Sequence, residues 1–193
     1  MPKQIEFFYD YLSPFSYLAD TRLPAIARRA GAEIVYRPIL LGAVMKATGN
    51  SGPLPIQGKA GYNVTDFLRW AKRYGVPAQF SPHFPFNSIR LLRAAVAAQQ
   101  HGRFAEFHSA AFRAIWEHGQ DLSKEEALRY LLSNVGIDPA LIDVDEIKHQ
   151  LRVNADEAIS RGAFGAPTFF VGDEMFWGND RLDFVEEALM RAA

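Results

Sequence analysis

The order of apolar segments constrains this chain most: strand, helix and strand open it, two strands and a helix close it, and helical patterns fill the middle. Ile5–Tyr9 is a short apolar and aromatic run that reads as a strand. A helix then starts at Ser13-Pro14, where serine suits the N-cap and the fixed φ of proline suits the first helical position. Gly31 is placed to end that helix, and Ala32–Pro38 reads as the second strand. Pro24 falls inside the helical pattern and is expected to kink or shorten it. At the far end, Pro167–Val171 predicts a strand, Gly172-Asp173 a tight turn and Glu174–Trp177 the hairpin partner. Asp180–Ala192 predicts a closing helix with Asp180 as its N-cap.

Between these ends the pattern changes. Leu40–Pro55 is rich in glycine, alanine and proline and reads as a loop or short helical turns. Amphipathic stretches follow at Asn63–Tyr74, Ser88–His101, Arg103–Glu117 and Asp145–Arg161. A further helix opens on the capping box Ser123-Lys124-Glu125-Glu126 and ends near Gly136. The expected class is therefore α/β: a thioredoxin-like fold, βαβ…ββα, with a large all-helical insertion. Residues 1–40 and 162–193 would form the thioredoxin-like domain, and 41–161 the connecting loop and insertion domain.

That placement puts Ser13-Pro14-Phe15-Ser16 where thioredoxin-like redox proteins carry Cys-x-x-Cys at a helix N-terminus. The chain has no cysteine, so it performs no disulfide chemistry with its own atoms, and any sulfur must arrive with a ligand. A free thiol titrates near pKa ~8.5 and is mostly protonated at neutral pH. The Ser13 hydroxyl can donate a hydrogen bond to such a sulfur, and the helix end adds partial positive charge. Lowering a thiol pKa by one unit takes only about 1.4 kcal/mol of preferential thiolate stabilisation. Ser13 also reads as a plain N-cap, and the two roles are compatible. A serine-hydrolase reading is poorer, because no Gly-x-Ser-x-Gly elbow surrounds Ser13 and all five histidines lie in or beside the helical block. Ser16 falls in the first turn and reads as structural.

Composition narrows the classes further. With 193 residues, 49% of them hydrophobic and 15 of them phenylalanine, the chain suffices for one domain with a substantial core. The formal net charge is −1 and no basic run exceeds a dipeptide such as Arg28-Arg29, so no nucleic-acid partner is expected. No apolar stretch is long enough to span a bilayer and no signal-peptide pattern opens the chain, so no membrane association is expected and the sequence reads as cytoplasmic. No metal is expected, since His83, His101, His108, His118 and His149 lack ligand spacing.

Phe8-Tyr9-Asp10-Tyr11-Leu12-Ser13-Pro14-Phe15-Ser16-Tyr17-Leu18 resembles the opening of 2-hydroxychromene-2-carboxylate isomerases and of kappa-class glutathione transferases, relatives of the DsbA disulfide oxidoreductases. Gly49–Pro53, Arg69–Pro77 and two pieces near the end, Gly165–Pro167 and Phe176–Leu182, resemble the same group, and the Arg69–Pro77 run leans toward the isomerases. The resemblance implies glutathione as cofactor, a homodimer, and a small aromatic-derived carboxylate as substrate. The implied reaction converts 2-hydroxychromene-2-carboxylate, or a related intermediate of aromatic degradation, to trans-o-hydroxybenzylidenepyruvate by reversible thiolate addition. A kappa-type transferase that conjugates electrophiles and a non-catalytic thioredoxin-like binding module are the alternatives.

The resemblance also implies site residues. Ser13 is the catalytic candidate. Pro167 would be cis, leaving the Ala166 backbone to pair with an extended peptide such as glutathione, against the ordinary trans alternative. Asp180 and Arg181 match the position that binds the γ-glutamyl group, and Asn50 and Lys59 lie in the segment expected over the tripeptide; on chemistry alone each could be a solvated surface residue. The second substrate needs an apolar wall with a few polar anchors, for which Phe15, Phe84, Phe86, Asn87 and Trp116 are the candidates. Asn87 reads equally as a helix N-cap, and an aromatic residue at helical spacing, such as Trp116, is often core.

Overall fold

In the computed structural model, which describes residues 3–192, β1 (Lys3–Tyr9) lies inside a four-stranded sheet. It pairs in parallel with β2 (Ala32–Pro38), and α1 (Pro14–Ala30) makes the crossover that parallel strands require. On its other side β1 pairs antiparallel with β3 (Thr168–Val171), which pairs antiparallel with β4 (Glu174–Trp177), giving the order β2-β1-β3-β4. The chain closes with α8 (Leu182–Arg191). Between β2 and β3 come α2 (Leu41–Thr48), α3 (Gln57–Tyr74), α4 (Ile89–Gln100), α5 (Phe104–Trp116), α6 (Glu125–Asn134) and α7 (Asp145–Ser160). This is the expected βαβ…ββα order with helices inserted.

Strand alternation sets the layers. Ile5, Phe7 and Tyr9 enter a large buried cluster that also holds Leu18, Leu23, Phe67, Leu92, Phe112, Trp116 and Val185. Phe8 points the other way, into a smaller cluster with Val44 of α2, Ala158 of α7 and Phe170 of β3. Phe7 stacks on Phe169 across the β1–β3 pair, with ring centroids 5.2 Å apart.

Four local expectations need correction. Pro24 does not stop α1, which runs through it; the proline is exposed, so the carbonyl deprived of its partner lies on the solvent side. Helix α3 begins six residues earlier than its apolar pattern, because Gly58 and Gly61 lower the helical signal of its first turns. The capping box before α6 does not form: Lys124 occupies the N-cap, and the Ser123 hydroxyl donates to the Asp121 carboxylate. Asp180 does not cap α8; it sits in a 3₁₀ turn over Asn179–Arg181, with its carboxylate on Arg181.

Candidate active site

A cavity of about 640 Å³ opens where the N-terminus of α1 meets the loop before β3. Leu12 to Phe15, Leu41 and Met45 of α2, the Asn50–Leu54 loop, one face of α3, Phe84, Gly165–Pro167 and Trp177–Asp180 form its walls. Its size and mainly apolar lining with a few polar groups suit a small-molecule ligand.

Ser13 stands at the mouth of α1. Its extended backbone (φ −84°, ψ 113°) and its Oγ, which accepts the Ser16 N–H at 3.1 Å, make it a true N-cap. The same hydroxyl donates to the Ala166 carbonyl at 3.0 Å, joining the α1 turn to the loop before β3, where the Ala166–Pro167 peptide is cis. No acidic residue occupies the first turn of α1, whose N-terminal end lines the cavity. Ser16 is fully buried, does not line the cavity, and its Oγ has no hydrogen-bond partner among the described residues.

Beneath this turn lies Asp10, which sequence reasoning passed over. It is fully buried and its carboxylate accepts three hydrogen bonds: from Leu12 N–H at 2.9 Å, Leu41 N–H at 2.8 Å and the Ser88 hydroxyl at 3.0 Å. Its carbonyl also accepts the Ser13 N–H at 2.9 Å. Burial pushes its carboxyl pKa up to about 6, against the pull of those three donors, which favour the charged form. Asp10 thereby ties the Ser13 turn to the start of α2 and to the residue that precedes α4.

The remaining candidates divide. Phe15, Asn50, Lys59, Phe84, Ala166, Pro167 and Asp180 line the cavity with Ser13. Asn50 is committed to the protein: its Nδ2 donates to Phe164 O at 2.8 Å and its Oδ1 accepts Gly52 N–H at 2.9 Å, so it fixes the loop after α2. Asp180 forms an ion pair with Arg181 at 2.8 Å, and Arg181 itself stays outside the wall. Lys59 belongs to α3 rather than to a loop.

Phe86, Asn87 and Trp116 do not reach the cavity. Trp116 is fully buried, packs on Phe67 and Phe80, and donates its Nε1–H to Tyr11 O at 2.9 Å; it is core behind the wall. Asn87 is exposed and accepts the Ile89 N–H, while Phe86 packs against the main core. The wall instead includes Asn63, Asp66, Trp70 and Trp177, which the sequence reading missed. The signal for three of them was present: Lys59, Asn63, Asp66 and Trp70 recur at i, i+4, i+7 and i+11, one face of a helix that begins at Gln57.

The family of DSBA-like thioredoxin domains matches residues 4–190, and the chain belongs to it. Within that class the chain is similar to 2-hydroxychromene-2-carboxylate isomerases. It is 39% identical to the one from Sphingobium xenophagum, over 98% of this chain and 100% of the relative. A solved structure of a 2-hydroxychromene-2-carboxylate isomerase superposes with a TM-score of 0.86 at 34% identity, covering 97% of this chain and 95% of that one. Glutathione S-transferase kappa 1 of Rattus norvegicus is more distant, 25% identical over 95% of this chain and 89% of its own.

Proposed function

We propose that this chain is a glutathione-dependent isomerase that converts 2-hydroxychromene-2-carboxylate, or a related aromatic-derived carboxylate, to the trans-o-hydroxybenzylidenepyruvate type of product. One observation carries the reading: in a chain without cysteine, Ser13 caps a helix N-terminus on the wall of a ligand-sized cavity. The isomerase relatives support the reaction class, and the kappa transferase relatives support glutathione as the thiol. The residues present fit that tripeptide. Lys59 offers a cation for a carboxylate, Asp180 an anion for the ammonium, and the Ala166 backbone a pairing edge for a peptide.

Glutathione, when bound, supplies a thiolate that adds reversibly to a conjugated carbon of the ring-opened substrate and lets the former double bond turn. Ser13 then redirects its hydroxyl from Ala166 O to the sulfur, while the α1 end holds the negative charge. Phe15, Trp70 and Phe84 supply the apolar wall for the ring system. A homodimer in the cytoplasm belongs to the same reading.

The test is an ultraviolet titration of glutathione bound to the wild type and to Ser13→Ala, together with product analysis. A hydrogen bond to a charged acceptor contributes about 1.5–3 kcal/mol, so Ser13→Ala should raise the bound thiol pKa by roughly one to two units. Turnover should require glutathione and return it unchanged. A stable conjugate would favour a transferase, and turnover without glutathione would remove the mechanism.

A further inference from the structure

Lys59, Asn63 and Asp66 face the cavity from α3, and among the described residues none of the three makes a side-chain hydrogen bond or ion pair; Asn50 and Asp180 on the same wall are bonded to Phe164, Gly52 and Arg181. Polar side chains held at a cavity wall without protein partners are available to a ligand. The charge of Lys59 suits a carboxylate. Asp66, half-buried, is the group that the sulfur chemistry leaves without a task.

That chemistry has a gap on the substrate side. In 2-hydroxychromene-2-carboxylate, C2 carries a hydroxyl, the carboxylate and the ring oxygen, and the double bond cannot rotate while the ring is closed. Opening the ring requires a proton to leave the C2 hydroxyl and a proton to reach the aromatic oxygen. We propose that Asp66 is the general base and acid that opens this hemiketal, an assignment that rests on the isomerase reading above.

The step balances. The Asp66 carboxylate takes the C2 hydroxyl proton, the carbon–oxygen double bond forms at C2, and the bond from C2 to the ring oxygen breaks with its electron pair going to that oxygen. Asp66 then returns the proton to the new phenolate, so the carboxylate ends as it began and no co-reactant is consumed. Asp180 is the weaker candidate, because its carboxylate is already engaged by Arg181 at 2.8 Å. Lys59 is the one basic side chain on the wall among the described residues, and its ammonium has no lone pair to accept a proton; no histidine lines the cavity.

The test compares two substrates in Asp66→Asn and Asp66→Glu: the cyclic hemiketal, and open-chain cis-benzylidenepyruvate, which lacks the ring hydroxyl and cannot close. For Asp66→Asn, kcat on the hemiketal should fall ~100-fold or more, while kcat on the open-chain acid stays within about twofold of wild type. Asp66→Glu, which keeps a carboxylate, should recover most of the hemiketal rate, and the thiolate titration should be unchanged in both variants. Equal losses on the two substrates, an unaffected hemiketal rate, or a Glu variant as impaired as Asn would overturn the assignment. Failure of the isomerase reading is separately visible, since the wild type would then isomerise neither substrate.

Discussion

Replacing Asp10 with asparagine removes a carboxylate that the fold buries at the bottom of the site, and with it a pH-dependent cost to stability. In the folded chain the Asp10 pKa is about 6, against 3.8 ordinarily, because full burial outweighs three hydrogen bonds to the carboxylate. That rise corresponds to about 3 kcal/mol. Below pH 3.8 the group is neutral folded and unfolded, and its contribution to stability is fully present. As pH climbs toward 6 the unfolded chain releases the proton while the folded chain keeps it, so stability falls, and above the folded pKa it falls no further. Neutral Asp10 keeps its place because its new O–H can donate to Ser88 Oγ, which turns to accept. Asp10→Asn has no such titration. The stability difference between wild type and variant should therefore shift by about 2 kcal/mol in the variant's favour between about pH 4 and about pH 7, read from urea unfolding at both. Asp121 and Glu186, whose pKa values are lowered by Ser123 and Arg29 respectively, act in the opposite direction but are common to both proteins and cancel. A difference that does not move with pH would refute the argument that Asp10 is buried at a cost.

Ser16→Ala should stabilise the fold by about 1 kcal/mol in the same unfolding assay, because it deletes a buried hydroxyl that has no partner among the described residues. Trp116→Phe should lower stability by roughly 1–3 kcal/mol through lost packing and the lost bond to Tyr11 O, while leaving KM for the aromatic substrate within about twofold. A large rise in KM at unchanged stability would return Trp116 to the substrate wall.

What was legible in the sequence was whatever is encoded locally. The front and back of the fold could be read because strand alternation, Gly31 and the Gly172-Asp173 turn state their own geometry within a few residues. Ser13 could be read for the same reason, since N-cap and proline stand side by side at the helix start. Asp10 could not: two of its three carboxylate donors, Leu41 and Ser88, lie 31 and 78 residues away, and nothing beside Asp10 announces them. The α3 wall was hidden by two glycines that obscured one helix start, and with it the register that puts Asn63 and Asp66 on the face of Lys59. Trp116 shows the converse difficulty. Helical spacing brings an aromatic ring to one face, but the sequence does not say whether that face meets a cavity or the next layer, and here Phe84 stands between Trp116 and the open space. The features of the α1 turn that need no cysteine are thus the ones encoded side by side: a helix N-terminus, its capping hydroxyl, and the bond from that hydroxyl to the cis Ala166–Pro167 segment. The α3 face differs: among the described residues its Lys59, Asn63 and Asp66 side chains have no hydrogen-bond or ion-pair partner, so this is the stretch of wall that no polar contact within the protein ties down.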